Sequence, residues 1–246
     1  MERVQHQVLE DEEVDTQNIS HSDTYWEQKL PTDYEDIIKW SKDSLQWTTK
    51  KDLYSILCEG FPINNGEEWF SLAKNGKKCH MLSARMALQT KEWTWEFLPK
   101  SRFREVAVDP DACFSIHYTL ELMQLTLFTT YETYLVYKLQ ENHSRFELPV
   151  EVSLTTSLDR SWYVYLHSPQ TPIIRGSTYQ DTHNQMNKPK IKGLPRQRND
   201  GWMEVQVWEF QTSNTIERIS KDLLLKFHDN RQFKGLIVQG IEFKPI

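Results

Sequence analysis

The chain has few features that could staple it covalently or through a metal. It has three cysteines in 246 residues, Cys58, Cys79 and Cys113. An odd number with no close spacing argues against a disulfide framework and against a zinc-type ligand set. The thiols are expected to be small buried hydrophobes, with Cys58 and Cys79 as the candidates for cross-linking chains under oxidising conditions. No apolar run approaches the roughly 20 residues of a membrane span. The first thirty residues lack the basic and apolar regions of a secretory leader, so a cytosolic or nuclear protein is expected. The sequons at Asn18 and Asn142 would then go unused.

Catalytic signatures are also missing. There is no Gly-x-Ser-x-Gly nucleophile motif, and the histidines are scattered. Cys79 and His80 are adjacent and would point apart on a strand. Glu204 and Glu209, five apart, would face opposite sides of a strand, which makes them a poor acid/base pair for glycoside hydrolysis. The sequence therefore reads as a binder, with no cofactor and no metal.

Aromatic residues are abundant: 9 Trp, 10 Tyr and 11 Phe. Such a composition favours strands. The net charge of −6 is unevenly spread. Residues 1–35 hold ten acids against Arg3 and Lys29, so the acidity belongs to the N-terminal stretch and the rest is slightly basic. Three parts are expected: an acidic, disordered segment over 1–30, a short helical segment over 31–61, and a β-domain over 62–246. Trp26 is the one residue of the acidic segment suited to docking. Thr32 to Glu35 and Thr49 to Asp52 both have the form of helix starts, and Gly60 and Pro62 stop the helix.

From Gly66 onward the apolar period is two. Strands are expected over Cys79–Leu88, Glu92–Leu98, Phe114–Leu125, Tyr131–Leu139, Val150–Thr155, Trp162–Leu166, Trp202–Phe210, Leu223–Phe227 and Leu236–Phe243. Short strands without long intervening helices indicate an antiparallel β-sandwich or barrel. Asn75-Gly76 and Asp200-Gly201 are turn dipeptides. After the second, Met203, Val205 and Val207 share one face, while Trp202, Glu204, Gln206, Trp208 and Phe210 share the other. Indole rings beside a carboxylate and an amide suit a ligand with both C–H faces and hydroxyls, such as a sugar. The polar stretch over 176–198 reads as a long loop. It carries Lys188, Lys190, Lys192, Arg196 and Arg198 beside Tyr179 and His183, which suggests a nucleic-acid contact as the rival reading.

Several blocks in order resemble the phloem lectin family, phloem protein 2 and its Nictaba-like relatives in plants. They are Gly76 to Arg85, Trp93-Thr-Trp95, Ser101 to Ala107, Tyr131 to Leu139, Pro149 to Val152, Asp200 to Glu204 and Gly235 to Pro245. The resemblance spans about 66–246, and the N-terminal extension makes this a long member. It implies a jelly-roll-like antiparallel β-sandwich lectin for N-acetylglucosamine oligomers, chitin fragments or N-glycan cores. It also implies a homodimer, residence in phloem companion cells and sieve elements, and, for long members, links with filaments and RNA. By the same resemblance the sugar contacts fall to Trp93 and Glu204. Trp95 and Trp202 are further candidates, and Gln197 stands where the family often has an acid.

Overall fold

The computed structural model describes residues 23–88, 93–110, 112–140, 143–168, 191–215 and 217–246. Disorder was expected over 1–30, but Asp23–Lys29 forms a helix; the part over 1–22 and most of the polar loop, Lys188 and Lys190 included, lie outside the described residues.

Among the described residues, three helices precede the strands, α1 (Asp23–Lys29), α2 (Tyr34–Ile37), which tightens into a 3-10 turn over Ile38–Trp40, and α3 (Lys50–Glu59). The helix start at Thr49 forms as the sequence suggests. Thr49 Oγ1 accepts from the Asp52 amide and Asp52 accepts from the Thr49 amide, both at 3.1 Å. At the other start, Asp33 rather than Thr32 takes the cap position, and its side chain makes no capping bond. Gly60 closes α3 with φ +83°, and a Cβ there would stand 2.4 Å from Trp69 Nε1. Trp26 docks, but onto α3: its ring lies 5.4 Å from that of Tyr54.

Fourteen strands follow among the described residues. They are β1 (Phe61–Ile63), β2 (Glu68–Leu72), β3 (Lys78–Ser83), β4 (Thr94–Glu96), β5 (Val106–Val108), β6 (Cys113–Glu121), β7 (Thr130–Leu139) and β8 (Val150–Leu154), then β9 (Ser157–Val164), β10 (Ile191–Gly193), β11 (Arg196–Gln197), β12 (Met203–Gln211), β13 (Arg218–Phe227) and β14 (Leu236–Pro245). Among the described residues, one sheet runs β1-β2-β3-β14-β7-β12-β11, with β5 also on β14 and β4 on β5. The other runs β10-β9-β8-β13-β6. The fold is mainly β, as expected. The strand expected over Cys79–Leu88 stops at Ser83, whose hydroxyl accepts from the Met86 amide at 3.2 Å and starts a helical turn, α4 (Ala84–Ala87). Strong helix formers there outweigh the apolar pattern.

The main core lies between the sheets. Phe114, Ile116, Tyr118 and Leu120 of β6 alternate inward, and Tyr118 meets Phe243 of β14 edge-on at 4.8 Å. Two bonds cross the interior, Tyr137 Oη to the Leu166 carbonyl (2.6 Å) and Trp162 Nε1 to the Val207 carbonyl (3.0 Å). A second core joins Leu30, Ile37, Leu53 and Leu57 of the helical segment to Phe61, Ile63, Phe70 and Leu72 of β1 and β2. A division at 61/62 cuts through this second core.

A bulge reshapes the stretch that first drew notice. β12 pairs with β7 as Gln206↔Tyr134 and then Trp208↔Thr133, with Val207 extra. An inserted residue reverses the alternation beyond it. Met203, Val205 and Val207 face the core as expected, but Trp208 and Phe210 join them there: Trp208 packs on Trp162 at 5.2 Å and Phe210 stacks on Tyr131 at 5.7 Å. The expected face shared by Trp202 and Trp208 does not exist.

Candidate binding surface on the outer sheet face

Trp93 and Glu204 were expected to work together, and the structure places them on opposite sides of the large sheet. Trp93 is buried in the inter-sheet core, edge-on to Phe114 at 5.4 Å. Trp95 is half-buried at the sheet edge and packs against the same core. The Arg85 guanidinium covers it at 4.2 Å, itself held by Glu105. Trp202 is fully buried on the outer face under the 98–105 segment, with Phe103 and Val136, and its Nε1 donates to the Lys100 carbonyl at 3.2 Å. Its role is to pin that segment. Gln197 is exposed on β11, opposite Met203.

Glu204 is the exception, because it sits in a dense polar array on the outer face. The Asp200-Gly201 turn, with Gly201 at φ +79°, folds β11 back on β12 and brings Arg198 over Glu204. Arg198 Nη1 donates to Glu204 Oε2 at 2.9 Å and also to Glu242 of β14, while its Nε reaches Asp200 at 3.2 Å. Lys244, two residues along β14 and so on the same face, bonds Glu204 Oε2 at 2.5 Å. Arg102 donates to the second oxygen of Glu242 at 3.1 Å and lies over the Trp69 ring at 5.5 Å. At the far end Arg196 donates to Tyr134 Oη, which donates to Glu132.

These contacts set the charge states. Burial pushes the Glu242 carboxyl up, but Lys244, Arg198 and Arg102 together more than offset this and hold it below the usual carboxylate range. Burial would lower the Arg198 guanidinium, and Glu242, Asp200 and Glu204 instead hold it raised. Burial, then the Glu132 carboxylate, pushes the Tyr134 phenol up. The array thus holds Glu242 as an ionised carboxylate in a fixed position. Both contacts to Glu204 fall on Oε2, so among the described residues Oε1 keeps its accepting capacity, while the residue as a whole is buried.

Glu242, Lys244, Arg102, Tyr134 and Trp69 were not singled out in the sequence. The alternation Glu242-Phe243-Lys244 near the chain's end held the one usable signal, two opposite charges on one strand face. Three residues of the basic loop already have partners. Arg198 and Arg196 belong to the array, and Lys192 sits over Trp208 at 5.4 Å and Trp162 at 5.8 Å. The cysteines are free: Cys58 and Cys79 are half-buried and Cys113 is exposed. Burial pushes the Cys79 thiol up to about 12 and raises that of Cys58, so the two thiols expected to cross-link are poor nucleophiles.

Comparison with known proteins bears on this surface. The family model for phloem protein 2 matches residues 77–245, which hold every strand from β3 to β14 and nearly all of the array. The chain belongs to the phloem protein 2 family. It is similar to three proteins of Arabidopsis thaliana. F-box protein PP2-B5 is 32% identical over 240 residues, 92% of this chain and 74% of that protein. F-box protein PP2-B10 is 32% identical over 237 residues, 91% of this chain and 80% of that protein. F-box protein SKIP3 is 31% identical over 239 residues, 91% and 76% respectively. At about nine-tenths of the chain, these matches reach beyond the family domain into the helical segment. The second core, which joins that segment to β1 and β2, falls in this added part.

Proposed function

We propose that the domain is a non-catalytic lectin for N-acetylglucosamine oligomers, such as chitin fragments and N-glycan cores, bound on the outer sheet face around Glu204. The supporting observation is Glu204 itself, a carboxylate fixed through one oxygen by Arg198 and Lys244, with its other oxygen left for a sugar hydroxyl. Fixed acceptors and donors discriminate among hydroxyl patterns without chemistry. A glycosidase needs one carboxyl kept protonated, and Glu242 is instead held ionised. A homodimer in the cytoplasm of phloem companion cells and sieve elements completes the proposal. Calorimetric titration with chitotriose tests it: wild type binds, and Glu204→Gln, which keeps the shape, binds about tenfold more weakly. Equal binding by a folded Glu204→Gln would remove the site, and no binding by wild type to any such glycan would remove the function.

A second reading has its own support. Four acids (Glu132, Asp200, Glu204, Glu242) and four bases (Arg102, Arg196, Arg198, Lys244) close on one another across the array. In that reading the network only ties β11 and the 198–202 turn to β14. Glu204→Gln would then lower the melting temperature and leave glycan binding unchanged.

A further inference from the structure

A cleft of about 310 Å³ opens where the helical segment meets the sandwich, away from the outer-face array. Its lining is Trp40, Ile63, Asn64, Glu68, Glu121, Met123 and Gln124. Trp40, Ile63 and Met123 give it apolar walls, and Glu68, buried, supplies a carboxylate. That carboxylate is held by Asn64 Nδ2 at 2.7 Å, Gln124 Nε2 at 3.0 Å and His80 Nε2 at 2.7 Å. Asn64 and Asn65 adopt left-handed backbone (φ +48° and +56°), and this turn carries the amide that holds Glu68.

The charges around the cleft are unequal. The Lys78 ammonium lies 5.7 Å from the Trp40 ring, donates to the Met123 carbonyl at 2.8 Å and is paired with Asp33 at 2.6 Å, and Glu121 at the rim is paired with Arg218 at 2.8 Å. Among the described residues, Glu68 has no lysine or arginine partner. It nonetheless remains ionised: burial raises its carboxyl, and the His80 contact and the two amides outweigh this. A carboxylate contacted by two neutral amides and one imidazole, with no lysine or arginine on it, at the base of apolar walls favours a cation on an aliphatic stem.

The rim points to the source of that cation. Met123 lines the cleft, and Leu127 and Phe128 follow it on the same segment between β6 and β7; the three are 61%, 44% and 67% exposed. The segment is rigidly tied. The Thr126 amide donates to Tyr131 Oη at 2.9 Å, the Thr129 amide donates to Thr212 Oγ1 at 2.9 Å, and Thr212 Oγ1 donates back to the Thr126 carbonyl at 2.8 Å. Phe128 is held at φ +52°, a conformation rarely adopted by a bulky residue. Preorganised apolar side chains displayed to water beside a charged cleft suit a polypeptide more than a small metabolite.

We propose that the cleft and the 123–128 rim form a docking surface for a partner polypeptide, which seats one lysine or arginine side chain against Glu68 and lays flanking apolar residues on Met123, Leu127 and Phe128. The full chain is titrated with the amidated peptides Leu-Lys-Phe-Leu and Leu-Arg-Phe-Leu and with the matching norleucine and glutamate peptides. The lysine and arginine peptides bind, norleucine binds about tenfold more weakly, the size of one charged hydrogen bond, and glutamate does not bind. Glu68→Gln abolishes the preference for lysine over norleucine. Met123→Ala, an exposed change that leaves the fold alone, weakens the lysine and norleucine peptides alike. Equal affinity for lysine and norleucine, no binding by any peptide, or effective competition by n-butylammonium alone would overturn the proposal. The first comparison uses wild-type protein, so it decides even where Glu68→Gln does not fold. Chitotriose titrations run in parallel report separately on the outer face.

Discussion

Glu242 is the residue on which the outer face balances, since three cations converge on its two oxygens. Its folded pKa lies below the ordinary value of 4.5, so its stabilisation is complete above that value and is lost as pH falls through the folded pKa. Melting followed against pH should show a steep loss on the acid side, and Glu242→Gln should flatten that limb while lowering stability at neutral pH. Trp202 makes a different prediction. It fills the space between the outer face and the 98–105 segment, so Trp202→Ala should cost about 3–5 kcal/mol in denaturant unfolding. The sequence marked both Trp202 and Glu204 because their residue types were unusual on a strand face. It did not show that one was sealed under a loop and the other buried in an ion-pair array. That difference comes from segments distant in sequence, Phe103 over Trp202 and Lys244 over Glu204.

At the scale of elements, the long strands β6, β7, β12 and β14 were legible because alternation over nine or ten residues has few alternatives, whereas only Leu223–Phe227 of β13 was, since Ile219 and Leu223 also fit a helix. The short strands β1, β5, β10 and β11 were not. With two or three residues each, they exist through their partners rather than through their own pattern. The bulge in β12 escaped notice for a similar reason, since both Val207 and Trp208 are apolar and either phase of the alternation fits the sequence. Helix α3, by contrast, carries its start signal within four residues. Thr49→Ala should cost about 1 kcal/mol, measured as a shift in the urea midpoint with an unchanged slope.

For the whole molecule, the helical segment and the sandwich are joined by apolar packing. Phe61, Ile63, Phe70 and Leu72 are covered by Leu30, Ile37, Leu53 and Leu57. A fragment spanning 62–246 would expose that surface, so it should melt well below the full chain and aggregate. A fragment as stable as the full chain would show that the second core contributes little. The sandwich architecture was readable from strand spacing and the family from ordered sequence blocks. The placement of the proposed binding face was not, because it depends on which side of the large sheet each strand turns, and the bulge and the covering segments decide that.

The most direct test of the lectin account is to follow backbone amide and indole NMR signals of the full chain as chitotriose is added. The account predicts saturable shifts centred on Glu204, Arg198, Glu242 and Lys244, with Trp93 and Trp95 unmoved. Shifts centred on Trp93 and Trp95, or none at saturating sugar, would contradict it.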